Sequence, residues 1–153
     1  MIVDRQRQLI TSRFGWRWIN GKKNNHKGID LRTWNIVSRP RKPQNILAPE
    51  RIKIIDMWDN EKWGQGISFY FLDNPEWGIG VYRHIGLIAG LEKGLIIEKG
   101  MVLGKSMVTR FMKRLGFTHH LHFEIYKKGW KIVNPVLYMD ATLVPYDWKW
   151  GVR

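Results

Sequence analysis

The chain has 153 residues, 44% hydrophobic and 13% aromatic, which suffices for the core of one folded domain and argues against disorder. It contains no cysteine, which excludes disulfide bonds and thiolate metal ligands and leaves histidine, aspartate and glutamate to hold any metal. The formal net charge is +13, and residues 1–55 alone carry 13 basic and 3 acidic side chains. Such a charge attracts nucleic acid, anionic lipid surfaces or anionic envelope polymers without choosing among them.

The chain is expected to form a single domain over residues 1–153, with a core at about 9–139 and a short tail at 140–153. The sequence has no run of 18 apolar residues, so no membrane span is expected. Its first residues lack the apolar stretch of a signal peptide. We expect the protein to be a monomer.

The first half of the chain is predicted to be rich in strands. Residues 10–19 form a strand region that Gly15 interrupts, and Asn20-Gly21 is a turn signal that we expect to continue through the polar residues 22–25. Residues 38–45 contain two prolines and are predicted to form a basic surface loop. Further strands are predicted at 26–31, 51–58, 67–72 and 81–85.

The second half adds one clear helix, predicted over residues 106–115, with Ser106 as its N-cap and Gly116 ending it. A strand follows from His120, then a return strand at 130–133 and a helical turn at 134–139. The fold class predicted from these elements is mainly β, with antiparallel sheets and one or two short helices.

Residues 120–126 alternate between polar and apolar side chains, as a strand with two different faces does. Leu121, Phe123 and Ile125 would enter a core, while His120, His122 and Glu124 share the other face. Histidines two residues apart on a strand lie about 7 Å apart, so one can bind a metal while the other reaches the metal's water. A polar strand face that merely contains two histidines remains the alternative.

His26 and Asp30 form a second cluster, with Gly28 between them. In an extended chain they would be about 13 Å apart, too far to share a metal, but glycine permits a bend. The spacing alone is weak evidence. Two imidazoles and one carboxylate are, however, a known catalytic zinc set that leaves a fourth position for water.

These segments together resemble the lysostaphin/LytM-type zinc metallopeptidases, a family of peptidoglycan endopeptidases. The similarity covers about residues 9–139 and is carried by segments at 10–17, 26–31, 46–49, 81–85, 99–104 and 120–124. The resemblance implies a large and a small antiparallel sheet, with a zinc groove lying on the sheet between loops. It implies one zinc ion per chain, held by His26, Asp30 and His122.

The resemblance also implies two catalytic histidines. His120 would act as the general base, and His84 would orient the reactants or stabilise the charge that develops on the attacked carbonyl. Zinc chemistry suits these roles, since zinc lowers the pKa of bound water to about 7 and a neutral imidazole takes up a proton near that pH.

The chain departs from the family pattern just before the His-x-His strand. The family has a loop rich in glycine, serine and threonine there, with proline next to the strand. This chain has a basic, helix-like insert at 105–115 and His119 in place of the proline. His119 could be a competing ligand, line the groove or fill a turn, and we favour the turn.

Some charged residues near the motifs also have two readings. Glu124 could orient a ligand histidine or simply pair with a lysine, and it is left out of the predicted site. Lys27, Arg83 and Lys105 could contact acidic groups of a substrate, but solvated surface charges are favoured.

The leading functional expectation is a zinc endopeptidase that hydrolyses amide bonds in the peptide stems or cross-bridges of bacterial peptidoglycan, with that polymer and anionic envelope polymers as partners. One alternative is a non-enzymatic envelope-binding or activator module of the same fold. A nucleic-acid binder is a third class, disfavoured because no nucleic-acid-binding module is found.

Without a signal peptide, we expect a phage lysin, either an endolysin that stays in the host cytoplasm until lysis or a virion-associated enzyme. Either would act on the cell envelope and be antimicrobial.

Overall fold

The structure, a computed structural model, describes residues 10–33 and 43–138. The predicted tail and most of the predicted basic loop lie outside these residues. The described chain contains one α-helix, α1 Arg110–Arg114, and two 3-10 turns, Pro75–Trp77 and Pro135–Tyr138. Its strands are β1 Ile10–Ser12, β2 Gly15–Ile19, β3 Lys22–His26, β4 Ile29–Arg32, β5 Asn45–Leu47, β6 Ile52–Asn60, β7 Gly64–Phe71, β8 Ile79–Arg83, β9 Ile85–Leu87, β10 Ile96–Ile97, β11 Val102–Ser106, β12 His120–Lys127 and β13 Lys131–Val133.

The strands form three antiparallel sheets. The large sheet has the order β1-β4-β12-β8-β7-β6-β10, with β13 also paired to β12. A three-stranded sheet has the order β5-β11-β9, and β2 pairs with β3 in a separate hairpin. The predicted mainly β class, with a large and a smaller antiparallel sheet, is confirmed.

Strand β12 lies in the middle of the large sheet and sets the register of the residues around it. On one side His122 lies opposite Asp30 of β4, and on the other it lies opposite Arg83 of β8. Side chains that face each other across antiparallel strands have Cβ atoms about 4.5–5.5 Å apart. This register places one cluster of the sequence directly beside the other.

The core lies under β12, as the alternation of its residues predicts. Leu121, Phe123 and Ile125 are buried. The ring of Tyr82 packs edge-to-face between those of Phe123 and Phe69, with centroids 5.1 Å from each. Such aromatic contacts add to the hydrophobic stabilisation, so the strand that carries the two histidines rests on a well-packed support.

Residues 22–25 were predicted to extend a turn, and that prediction is wrong. Asn20 and Gly21 have φ angles of 49° and 73°, the left-handed pair typical of a two-residue type I′ turn. The twist of this turn matches that of the strands on either side, so the polar residues after it pair with β2 as strand β3.

The predicted helix is real but shorter than expected. Ser106 is not its cap, because Ser106 ends β11 and pairs with Ile85. The helix begins after Thr109, whose hydroxyl accepts a hydrogen bond from the Met112 amide at 3.1 Å, and it ends before Gly116, whose φ is 83°. No helix in the described part of the chain is long and apolar enough to cross a membrane.

Candidate metal centre and neighbouring histidines

His26 and Asp30 approach each other because the chain changes sheets between them. It leaves the hairpin at His26, bends at residues 27–28 and enters the large sheet at Ile29. Glycine is needed at position 28 for space rather than for an unusual backbone angle. A Cβ there would collide with the carbonyl oxygen of Phe123 and lie 3.0 Å from Nε2 of His122.

Three potential ligand atoms meet at this point. Nε2 of His26 lies 3.0 Å from Nδ1 of His122 and 3.2 Å from Oδ1 of Asp30, and the last two atoms are 2.8 Å apart. Zinc ligands at about 2.0–2.1 Å in a tetrahedron lie about 3.3 Å from one another. The triangle of donors therefore fits one zinc ion, with only slight expansion.

The outer nitrogen of each imidazole is already used. Nδ1 of His26 lies 2.7 Å from the carbonyl oxygen of Arg13, and Nε2 of His122 lies 2.9 Å from Oε1 of Glu124. Both partners are acceptors, so in neutral imidazoles the outer nitrogens carry the hydrogens and the inner nitrogens present lone pairs. Two lone pairs and a carboxylate oxygen converge, an arrangement that a cation stabilises.

The pKa values of Asp30 and His122 indicate that positive charge is favoured where the three donor atoms meet. Burial opposes ionisation of Asp30, but hydrogen bonds with His122 and His26 hold the pKa of its carboxyl well below the usual value. Burial likewise opposes protonation of His122, yet hydrogen bonds with Asp30 and Glu124 raise its pKa to about 9. Both shifts arise from the close contact between these side chains and favour positive charge beside Asp30.

Glu124 is buried and makes more contacts than the sequence indicated. It accepts hydrogen bonds from Nε2 of His122, from Nε of Arg83 at 3.1 Å and from the hydroxyl of Tyr126 at 2.7 Å. Burial would raise the pKa of Glu124, but these bonds lower it to about 2. Arg83 also lies over the ring of Trp58, so this charge, although its side chain is 41% exposed, is part of the network.

Arg17 is a contact that the sequence reasoning missed. It lies on the hairpin, and its guanidinium is 3.5 Å from Oδ2 of Asp30, while Oδ1 faces the two histidines. The same guanidinium bonds to the hydroxyl of Ser12. No sequence signal identifies this pair, because it depends on how the hairpin folds against β4.

His120 lies beside the three donors but is not part of the triangle. Its Nδ1 is 2.8 Å from the carbonyl oxygen of Thr118, and its Nε2 is 4.0 Å from Oδ1 of Asp30. Because a carbonyl only accepts, Nδ1 carries the hydrogen in the neutral ring and Nε2 is a free base directed toward the donors.

His84 completes the group, and its ring centroid is 4.9 Å from that of His120. It occupies the junction where the chain passes from β8 in the large sheet to β9 in the small one, with a φ of 63°. Its Nδ1 is 2.8 Å from the carbonyl oxygen of Trp63. Burial lowers the pKa of His84 to about 4, although the bond with Trp63 opposes this shift.

Aromatic rings lie beside His84 and His120. The ring of Phe117 stacks on His120 with centroids 5.9 Å apart, and that of Trp63 packs edge-to-face against Phe111 of α1. His119 is not part of the donor cluster, and its Nδ1 lies 3.2 Å from the hydroxyl of Ser106. Lys27 and Lys105 are exposed.

The structure thus brings together all five residues of the predicted site: His26, Asp30, His84, His120 and His122. In the described residues, the only cluster of three or more side chains suited to a metal is His26, Asp30 and His122. Glu124 is not among the predicted site residues. Its position on the same strand face as His122 is the sequence signal that indicates their contact.

Comparison with known proteins supports the fold. No family model and no curated protein matches the sequence. Among solved structures, the chain is similar to a chain of the SpoIIQ-SpoIIIAH pore forming complex, with a TM-score of 0.67, 21% identity, and 93% of this chain and 90% of that one covered.

Two peptidases show the same likeness. A zinc containing peptidase from Vibrio cholerae has a TM-score of 0.62 at 20% identity, and the match covers 86% of this chain and 37% of that longer one. The catalytic domain of the antimicrobial peptidase lysostaphin from Staphylococcus simulans has a TM-score of 0.58 at 20% identity, covering 83% and 87%. At such identities these matches establish the LytM-like fold.

Proposed function

We propose that this protein is a zinc-dependent endopeptidase that hydrolyses amide bonds in the peptide stems or cross-bridges of bacterial peptidoglycan. The observation that carries the proposal is the triangle of donor atoms 2.8–3.2 Å apart, with two further histidines beside it. Buried polar networks contain many structural histidines, but here three histidines lie within 4.0 Å of the Asp30 carboxylate and a fourth, His84, packs against His120, which favours a catalytic site.

His26, Asp30 and His122 would hold the zinc ion. When bound, zinc would lower the pKa of a water molecule toward 7 and polarise the carbonyl of the scissile amide. Glu124 and the Arg13 carbonyl fix the tautomers of the ligand histidines, and Arg17 holds the second oxygen of Asp30.

His120 is proposed to take the proton of the attacking water at Nε2, because Thr118 occupies its Nδ1. The new C–O bond forms at the carbonyl carbon, the C–N bond breaks, and the proton passes to the leaving nitrogen.

The contacts of His84 refine its proposed role. With Nδ1–H bound to Trp63, a neutral His84 offers only a lone pair at Nε2, so it can accept a hydrogen bond from water and orient it. It can donate to the carbonyl oxygen only after it has itself gained a proton.

The test is digestion of purified peptidoglycan by zinc-loaded protein, with and without a chelator, followed by mass spectrometry of the fragments. We expect new amino termini that vanish on chelation. His120→Ala and His84→Ala should each retain zinc and lose turnover by about 10²–10⁴-fold. His119→Ala is the matched control, because His119 neighbours His120 in the chain but contacts Ser106 and is not part of the donor cluster. A His120→Ala protein that cleaves at the wild-type rate would refute the assignment.

The second candidate is a binding or activator module of the same fold. The likeness to a chain of the pore forming complex, at a TM-score of 0.67, favours it. Intact peptidoglycan from several wall chemotypes, after incubation with protein shown to contain zinc, would support the module over the enzyme.

Origin from a phage remains part of the proposal. An antibody against the protein should detect it either in purified virions or only in infected cells, which separates a virion-associated enzyme from an endolysin. Detection in neither place would refute a phage lysin.

A further inference from the structure

The β2–β3 hairpin presents an aromatic face that the metal centre does not use. Trp16 and Trp18 are 60% and 68% exposed and, two residues apart on one strand, lie on the same face. Their cross-strand partners are Asn25 and Lys23. In contrast, the rings of Trp63 and Trp77 pack edge-to-face against other aromatic residues.

One face of the hairpin contacts the large sheet, and the other is exposed to solvent. Arg17 points to the opposite face from the two tryptophans and contacts Asp30 and Ser12. That contact anchors the hairpin to the large sheet, so the outer tryptophans need no partner from the rest of the fold. Exposed aromatic residues of this kind on a supported strand are typical of binding surfaces.

The charge of the segment restricts what can bind there. Residues 13–27 contain five basic and no acidic side chains: Arg13, Arg17, Lys22, Lys23 and Lys27. All of them except Arg17 are exposed, and Nζ of Lys23 lies 4.7 Å from the ring centroid of Trp16. Exposed indole rings with one ammonium group lying over the ring of Trp16 suit a polymer that combines apolar ring faces with anionic groups.

The hairpin is also continuous with the candidate metal centre. Strand β3 ends at His26, which pairs with Gly15 across the hairpin. His26 lies on the same face of the hairpin as Arg17, opposite to the tryptophans, so one hairpin carries both the tryptophan face and a residue of the candidate metal centre. A long polymer that passes round the hairpin can contact both, whereas a small anion cannot.

We propose that the outer face of the β2–β3 hairpin, Trp16, Trp18, Lys23 and Asn25, is a second binding surface for peptidoglycan. Sugar rings of the glycan strand would lie on the tryptophans, and a carboxylate of the stem peptides would pair with Lys23. This inference rests on the proposed function. Such a surface would let the proposed catalytic domain bind the insoluble substrate directly.

The test measures sedimentation of the protein with peptidoglycan stripped of its covalently attached anionic polymers. All proteins carry His120→Ala, so that binding is recorded without cleavage. Trp16→Ala combined with Trp18→Ala should weaken binding about tenfold or more. Lys23→Gln should weaken it and reduce its dependence on salt, whereas Lys22→Gln, on the opposite face of the hairpin, should bind normally. Trp130→Ala, at a 74% exposed tryptophan in the β12–β13 turn, is the matched control and should bind normally.

A second measurement separates this inference from the proposed function. In proteins that retain His120, the double tryptophan variant should cleave a short soluble stem peptide as the wild type does but digest intact peptidoglycan more slowly. Absence of cleavage by the wild type would overturn the proposed function. Unchanged sedimentation of the tryptophan variant, binding only to unstripped walls, or hairpin-dependent binding to single-stranded DNA alone would each overturn the inference.

Discussion

Replacing Glu124 by glutamine is expected to weaken zinc binding without unfolding the protein. The substitution keeps the shape of the side chain and an oxygen that can accept from Nε2 of His122, at present 2.9 Å away, but it removes the negative charge. A hydrogen bond to a charged group contributes about 1.5–3 kcal/mol and a neutral one about 1 kcal/mol. The difference, about 0.5–2 kcal/mol, corresponds to about 2- to 30-fold in affinity, which overlaps the range found when residues that hydrogen-bond to metal ligands are changed.

The assay is competition for zinc between the protein and a chromophoric chelator at fixed pH, with circular dichroism to confirm folding. Glu98→Gln is the matched control, because Glu98 is a carboxylate that is 66% exposed and pairs with Arg51 rather than with a histidine. A folded Glu124→Gln protein with the zinc affinity of the wild type would show that Glu124 serves only the packing of Arg83 and Tyr126.

Three further predictions concern the donors and the fold. Asp30→Asn should lower zinc affinity more than about 100-fold in the same competition assay, a larger loss than replacing a residue that only hydrogen-bonds to a ligand causes. Retained stoichiometric zinc would contradict the role of Asp30 as a ligand. Gly28→Ala should lower the free energy of unfolding by about 1–3 kcal/mol in urea titrations, because the added Cβ collides with Phe123. Gly86→Ala, whose Cβ would have its nearest neighbour at 3.5 Å, is the control, and equal losses would refute the steric reasoning. Thr109→Ala should cost about 0.5–2 kcal/mol by removing the cap of α1, and an unchanged unfolding midpoint would count against the cap.

The sequence pattern predicts the local structure correctly where one interaction, here the burial of alternate apolar side chains, dominates the conformation. The alternation at 120–126 predicts a strand, and Leu121, Phe123 and Ile125 are buried as expected. The polar residues of the opposite face, His120, His122 and Glu124, are buried as well. Their burial comes from the hairpin, the insert and the neighbouring strands, which no window of eight residues contains.

The two errors in secondary structure have a common cause. Residues 22–25 are polar, as loop residues usually are, and serine is a favoured residue at the N-cap of a helix. Both predictions therefore agree with the intrinsic preferences of these residues. In the folded chain, β2 supplies hydrogen-bond partners to the first segment, and β9 supplies them to Ser106. Pairing with a distant or returning strand overrides a weak local preference.

The sequence by itself determined the kinds of chemistry available: a cysteine-free chain, histidines two apart on a strand, and a carboxylate four residues after another histidine. Only the tertiary structure decided that these residues meet. His122 and Asp30 are 92 positions apart, and their contact follows from the register of β12 on β4. The same holds for His84, which reaches the group because β8 ends beside His122 and the chain then crosses to the small sheet. Register and sheet changes are set by how the whole core packs, so the residues of a site can be named from sequence while their distances cannot.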